Sequence, residues 1–137
     1  MERYLLDTSA MIALYLDEEG ASEVDDLLRR ALKKSALVMA SFMTFMEFFY
    51  GVWRSEGKEA ALKSYLELKS LPVVRVDQTE EILVLAAEIK ATHSLSLADS
   101  WVAATAIEQE AILVHKDPEF EPLSGRVELR YLPYKKS

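Results

Sequence analysis

Four carboxylates have the residue type and the placement along the chain that metal-dependent chemistry requires: Asp7, Glu47, Asp99 and Asp117. Magnesium and manganese prefer oxygen ligands, keep part of their water shell, and are held by a few carboxylates rather than by His or Cys. Carboxylates gathered at one point repel one another, so such a cluster is expected only where a divalent cation binds. A bound cation activates water and stabilises the oxygen of the leaving group, and phosphodiester hydrolysis requires both.

Glu47 and Asp99 each lie in an apolar stretch with no cation placed to neutralise them. The segment 37–52 carries no charge other than that of Glu47. On a helix, the residues three and four positions from Asp99 are also uncharged: Leu95, Ser96, Val102 and Ala103. A carboxylate in such surroundings is costly to bury unless a cation meets it, which favours a functional role for both. Thr44-x-x-Glu47 and Ser96-x-x-Asp99 also fit the capping box that opens many helices.

Asp7 and Asp117 follow apolar runs that are typical of strands. Asp7 comes directly after the run 4–6, and Asp117 comes three residues after Val114. In open α/β sheets ligands bind at the carboxyl ends of the strands, so we expect these two acids to meet at one edge of the sheet. Each is equally explained as a turn residue or a helix N-cap, since Asp bonds nearby backbone amides. The four acids predict a metal site only when they are taken together.

Short apolar runs alternate with longer amphipathic segments along the chain. The runs 4–6, 37–39, 73–76 and 112–114 have the length of buried parallel strands. Apolar residues recur with helical spacing in 21–32, 45–52, 82–89 and 102–106. This alternation of strands and helices predicts an α/β domain with a mainly parallel sheet covered by helices on both faces. The alternating segment 126–132 predicts a last edge strand.

Composition limits the remaining classes. A chain of 137 residues fits one domain, 1–137. It has no cysteine, which excludes disulfides, thiolate zinc sites and cysteine nucleophiles. The apolar run 10–16 is too short to span a bilayer and lacks a signal-peptide pattern, so we expect no membrane segment and a cytoplasmic location. The net charge of −7 is unusual for a protein that handles nucleic acid, unless bound cations reverse the sign in one pocket.

Three segments resemble the PIN domain, the nuclease fold that includes the VapC toxins of toxin–antitoxin pairs. They are LLDTSAMIALYL at 5–16, ASFMTFMEFFYG at 40–51 and SLSLADSWVAATAIEQEAILVHKDPEF at 94–120. By position, Asp7, Asp99 and Asp117 resemble the metal-binding acids of the family. Glu47 resembles the acid that orients water or ligates a second ion. Ser9 resembles a residue that bonds a carboxylate or a phosphate oxygen.

The resemblance implies a three-layer α/β/α fold with a mainly parallel central sheet and an acidic pocket for one or two Mg²⁺ or Mn²⁺ ions. It implies hydrolysis of single-stranded or loop RNA that leaves a 5′-phosphate. It also implies a homodimer, and inhibition by a VapB-type antitoxin with a segment in the active-site groove. The family often has Thr or Ser two residues before its last Asp, where this chain has His115. We expect His115 to be a loop residue bonded by the backbone.

Other function classes fit the sequence less well. A receiver-like phosphotransfer domain needs an acidic pair after the first strand, where this chain has the single Asp7. A haloacid-type phosphatase needs Asp-x-Asp there, and the third position is Ser9. A housekeeping PIN nuclease and a PIN-fold binding module without activity are the alternatives to a toxin. The presence of all four acids argues against the inactive module.

Overall fold

A five-stranded parallel sheet forms the centre of residues 1–135, the part of the chain that this computed structural model describes. The strands are β1 (Glu2–Leu6), β2 (Ala36–Ser41), β3 (Val74–Val76), β4 (Ile112–His115) and β5 (Leu129–Tyr131). Their order across the sheet is β3-β2-β1-β4-β5, and every neighbouring pair is parallel. The predicted strands are therefore confirmed, with β1 at the centre.

Helices cover both faces of this sheet. They are α1 (Thr8–Tyr15), α2 (Ala21–Leu32), α3 (Phe42–Glu56), α4 (Lys58–Ser70), α5 (Glu80–Thr92) and α6 (Leu97–Glu108), followed by a 3₁₀ helix (Pro118–Leu123). Alternate side chains of β1 enter different cores, since Leu5 packs with α5, α6 and the 3₁₀ helix, whereas Tyr4 and Leu6 pack with α1 to α4. The predicted three-layer α/β/α fold is confirmed.

The last strand is shorter than the alternating segment 126–132 predicts. β5 begins only at Leu129. The amides of Arg126 and Val127 donate to the carbonyl of Leu123 at 2.9 and 3.1 Å, so these two residues close the end of the 3₁₀ helix. Their backbone donors are thereby used in a turn rather than in the sheet.

The pairing of β1 with β4 brings two distant parts of the sequence to one edge of the sheet. Leu6 lies opposite Val114, and the amide of Asp7 donates to the carbonyl of Val114 at 3.0 Å. The segments that follow the two strands therefore emerge side by side. Within residues 1–135, no helix has both the length and the apolar character that a bilayer crossing demands.

Candidate active site

The structure brings all five predicted site residues to one cavity at the carboxyl edge of the sheet. The cavity has a volume of about 730 Å³, and Asp7, Ser9, Glu47, Asp99 and Asp117 all line it. The five side chains come from the segments after β1 and β4 and from α3 and α6. Residues up to 110 positions apart thus meet at one place, as the strand ends predict.

Asp7 is the most buried of the acids, with 3% of its surface exposed. It is the N-cap of α1, and its Oδ1 accepts a hydrogen bond of 2.8 Å from the amide of Ala10. The hydroxyl of Ser9 donates to both carboxylate oxygens at 2.7 and 2.8 Å. Ser9 also accepts the amide of Lys116 at 2.8 Å, so it ties the end of β1 to the end of β4. The capping role and the cavity position of Asp7 therefore coexist.

Glu47 lies in the second turn of α3 and does not cap it. The N-cap is Ser41, whose hydroxyl accepts the amide of Met43. The alternative capping box with Thr44 is therefore not formed. Instead the hydroxyl of Thr8 donates to Oε1 of Glu47 at 2.6 Å, across 39 positions of sequence. Sequence reasoning missed Thr8, although its place directly after Asp7 was a signal for it.

Asp99 and Asp117 lie near the starts of α6 and of the 3₁₀ helix. Ser96 caps α6 and accepts the amide of Asp99 at 3.1 Å, so the amide and not the carboxylate of Asp99 serves the cap. Asp117 caps the 3₁₀ helix by accepting the amide of Glu119 at 3.0 Å. One carboxylate oxygen from each of Asp99, Asp117 and Glu119 lies within 4.8 Å of the other two. Glu119 is a second residue that the sequence did not single out.

Burial and mutual repulsion raise the pKa values of two of these acids. Burial raises the pKa of Asp7 to about 7, helped by the charges of Asp117 and Glu47 and opposed by the bonds from Ala10 and Ser9. Burial also raises the pKa of Asp99 to about 9, together with its contacts to the carboxylates of Asp117 and Glu119. The protein alone therefore favours the neutral forms of Asp7 and Asp99. Raised pKa values of this kind indicate that the acidic cluster lacks a compensating positive charge.

The donor set of this cluster fits a divalent cation. Among residues 1–135, no Lys or Arg forms an ion pair with Asp7, Glu47, Asp99 or Asp117. The two lysines that line the cavity, Lys116 and Lys135, pair with Glu18 instead. All the candidate ligands are carboxylate oxygens, which suit Mg²⁺ or Mn²⁺ and not a softer metal. A divalent ion would supply the counter-charge that the described side chains lack.

His115 does not lie in a loop, so this part of the sequence prediction is wrong. It is the last residue of β4 and is fully buried, because the strand extends one residue beyond the apolar run. Its Nδ1 accepts the amide of Asp117 at 3.1 Å, which is the backbone bond that was expected. Its ring packs against Phe120 and Tyr134. His115 thus stabilises the turn that holds Asp117 at the cavity, without lining the cavity itself.

Comparisons with known proteins agree with this fold. The family described as PIN domain matches residues 4–125. No curated protein sequence matches the chain. Similar solved structures include a chain of VapBC2 from Rickettsia felis bound to a DNA fragment from their promoter, with 21% identity, a TM-score of 0.76, and coverage of 96% of this chain and 99% of that one.

Two further structures are similar over nearly the whole chain. DNA-bound VapBC from Salmonella typhimurium has 21% identity and a TM-score of 0.75, with coverage of 96% of this chain and 98% of that one. VapC20 from Mycobacterium tuberculosis is described as a Sarcin-Ricin loop cleaving toxin. It has 22% identity and a TM-score of 0.70, with coverage of 93% of this chain and 98% of that one. At these identities the likeness is one of fold.

Proposed function

This chain belongs to the PIN domain family, and from that premise we propose that it is a Mg²⁺- or Mn²⁺-dependent endoribonuclease. The observation that carries the proposal is the convergence of Asp7, Glu47, Asp99 and Asp117 on one cavity, where no Lys or Arg of the described residues 1–135 forms an ion pair with them. A metal-dependent nuclease needs such a site because a divalent ion held there would activate water, orient the phosphate and stabilise the leaving oxygen. Asp7, Asp99 and Asp117 would hold the ion, with Glu119 at its edge.

In this proposal Glu47 would act as the proton acceptor of the reaction. Its Oε1 is occupied by the hydroxyl of Thr8, which leaves Oε2 to take the proton of the attacking water. A base that is fixed by a second side chain gains in orientation, because less freedom is lost when the reacting atoms align. Ser9 holds the carboxylate of Asp7 from both oxygens and so fixes the direction in which Asp7 faces the cavity.

Thr8→Val is expected to lower kcat for RNA cleavage by roughly tenfold with KM little changed, because the variant frees Glu47 and keeps a side chain of nearly the same shape in the cavity wall. Thr8→Ser keeps the hydroxyl and should restore most of the rate. Steady-state kinetics of the two variants beside the wild type provide the measurement. A purely structural role for the Thr8 hydroxyl would lower the melting temperature of Thr8→Val and leave its kcat unchanged per folded molecule.

We further propose that the nuclease is the toxin of a type II toxin–antitoxin pair and acts in the cytoplasm as a homodimer. Two of the similar structures named above are VapBC complexes, and the third is VapC20, which is described as a Sarcin-Ricin loop cleaving toxin. The partner would be a VapB-type antitoxin with a basic segment suited to the acidic cavity. The formal charge of −7 on this chain favours association with such a segment.

The direct test is cleavage of single-stranded RNA by the purified protein. Mg²⁺ or Mn²⁺ is expected to switch cleavage on, excess chelator to switch it off, and the products to carry 5′-phosphates. RNA left intact with either metal, in a protein whose circular dichroism shows a folded state, would contradict the proposal and favour the inactive binding module.

A further inference from the structure

A positive cluster lies in the same cavity as the acids, and the reaction described above does not use it. The cluster consists of Lys116, Lys135 and the carboxylate of Glu18 between them. Of the described residues that line the cavity, Lys116 and Lys135 are the only basic ones. Two lysines against one glutamate leave a formal charge of +1 in a cavity that is otherwise acidic. A positive charge beside a phosphodiesterase site is suited to bind a phosphate group.

Lys116 is held in place almost completely buried. Its side chain is 4% exposed, and Nζ donates to the carbonyl of Glu19 at 2.9 Å and meets Oε1 of Glu18 at 3.4 Å. Its amide donates to Ser9, which in turn binds Asp7. The backbone of Lys116 is therefore tied through Ser9 to Asp7, one of the acids of the cavity. An ammonium group offers three donors, and the described partners occupy two of them.

Lys135 differs from Lys116 in being open to solvent. Its side chain is 69% exposed, while its Nζ lies 3.0 Å from Oε2 of Glu18. Burial acts to raise the pKa of Glu18, but the bonds and charges of Lys135 and Lys116 outweigh it and lower the pKa, so Glu18 is ionised at neutral pH. Glu18 thus joins a buried lysine to an exposed one, and only the exposed one is free to reach a ligand.

The backbone before Lys135 is fixed beside β4. Leu132 is fully buried and its amide donates to the carbonyl of His115 at 2.7 Å. Two residues later, the hydroxyl of Tyr134 donates to Oε1 of Glu121 at 3.1 Å. The position of Lys135 at the cavity is therefore set by hydrogen bonds of the preceding residues to β4 and to the 3₁₀ helix, and not by the ion pair alone.

We propose that Lys135, oriented by Glu18 and supported by the buried charge of Lys116, binds an RNA phosphate next to the scissile one. The inference rests on the proposed nuclease function and adds a subsite to it. The acids would hold the cation that acts on the scissile phosphate, and without a basic contact the neighbouring phosphate would lie in a cavity lined mostly by carboxylates. A lysine contact there offsets that repulsion and fixes the direction of the strand through the cavity.

The test compares Lys135→Gln with Lys135→Arg and with Lys63→Gln, using a pool of random-sequence single-stranded RNA. Lys63 is an exposed lysine on α4 that does not line the cavity, so its variant makes the same charge change elsewhere. Lys135→Gln is expected to raise KM about three- to fivefold with kcat within about twofold, as for a single exposed charge contact. Lys135→Arg should restore KM, and Lys63→Gln should match the wild type.

Binding provides a second readout that does not depend on turnover. With Ca²⁺ in place of Mg²⁺, fluorescence anisotropy of the same RNA pool should show that Lys135→Gln lowers the salt dependence of log Kd by about 0.7, the loss of one single-strand phosphate contact. A variant that binds and cleaves like the wild type would overturn the subsite while the nuclease function stands. A wild-type protein that binds RNA with the expected dependence on Lys135 but does not cleave it would overturn the nuclease function instead.

Lys116→Met separates the buried charge from the packing of its side chain, because the substitution keeps an unbranched chain of similar length. Its RNA affinity is expected to fall about as far as that of Lys135→Gln, at an unchanged stoichiometry of metal binding. Loss of RNA affinity in Lys116→Met but not in Lys135→Gln would contradict direct binding by Lys135. It would leave Lys116 as a structural tie between β4 and the segment around Glu18.

Discussion

Asp99→Asn is expected to lower Mg²⁺-dependent RNA cleavage by about a thousandfold or more, because the substitution removes a charged ligand from the ion that activates water and stabilises the leaving oxygen. Asp99 lies within reach of both Asp117 and Glu119, and its carboxylate is not used to cap α6. An amide of the same shape keeps the packing but neither the charge nor the metal affinity. The measurement is kcat/KM on single-stranded RNA.

Asp26→Asn is the matched control for this variant. Asp26 is an exposed residue of α2 that does not line the cavity, so it undergoes the same chemical change at a distance from the acids. Its activity should equal that of the wild type. Activity of Asp99→Asn within about threefold of the control would remove Asp99 from the mechanism.

The fold should survive the loss of Asp99 and gain stability when no metal is present. The folded protein raises the pKa of Asp99 from 3.8 to about 9. It therefore binds the proton more tightly than the unfolded chain does, and stability is lost progressively as pH rises from about 4 towards 9. Asparagine has no proton to lose. At pH 8 in chelator the variant should melt a few degrees above the wild type, and this difference should vanish near pH 4.

Expression of the chain alone in bacteria is expected to arrest growth, with Asp99→Asn expressed at the same level having no effect. An enzyme that turns over about once per second cleaves on the order of a thousand RNA molecules in twenty minutes, so even a modest nuclease depletes an essential RNA. Colony counts after induction give the measurement. Co-expression of the product of a short neighbouring reading frame should restore growth if that product is the antitoxin.

Two outcomes separate the toxin from its alternatives. Unimpaired growth together with RNA cleavage in vitro would favour a housekeeping nuclease. Equal arrest by the wild type and by Asp99→Asn would show that toxicity comes from protein contacts and not from the acidic site.

The sheet was predictable because each strand carries its own local pattern. The runs 4–6, 37–39 and 112–114 are apolar throughout, as strands buried on both faces must be, whereas 73–76 contains Arg75 and forms the exposed edge strand β3. The shorter β5 was not predictable from alternation, because the amides of Arg126 and Val127 are captured by the 3₁₀ helix before the strand begins. A competing local hydrogen bond of this kind leaves no mark on the hydrophobic pattern.

The convergence of the four acids on one cavity was predictable for a different reason, which is that two of them lack a local partner for their charge and two follow neighbouring strands. Glu47 and Asp99 have no cation at helical spacing, and Asp7 and Asp117 follow strands that pair in space. The capping alternatives did not compete with this, since Asp7 and Asp117 cap helices and line the cavity at once. A residue at a helix start by the sheet edge satisfies both requirements with one side chain.

The residues that sequence reasoning missed take their roles from tertiary contacts alone. Thr8 reaches Glu47 across 39 positions, and Lys116 meets Glu18 across 98. Glu18 lies in the connection between α1 and α2, and Lys135 follows the last strand, two places where hydrophobic period gives no information. The pairing of Glu18 with the two lysines depends on how the connection and the segment 132–135 pack beside β4. The three-dimensional structure is needed to see this.

Calorimetric titration of Mn²⁺ into the metal-free protein at pH 8 tests most directly whether the carboxylates gather to hold a divalent ion. Binding should release protons, because Asp99 keeps its proton in the metal-free protein and must give it up to the metal. Asp99→Asn should bind Mn²⁺ at least about tenfold more weakly, and Asp26→Asn as tightly as the wild type. Absence of binding, or equal binding by the wild type and Asp99→Asn, would contradict the metal site on which the proposed nuclease depends.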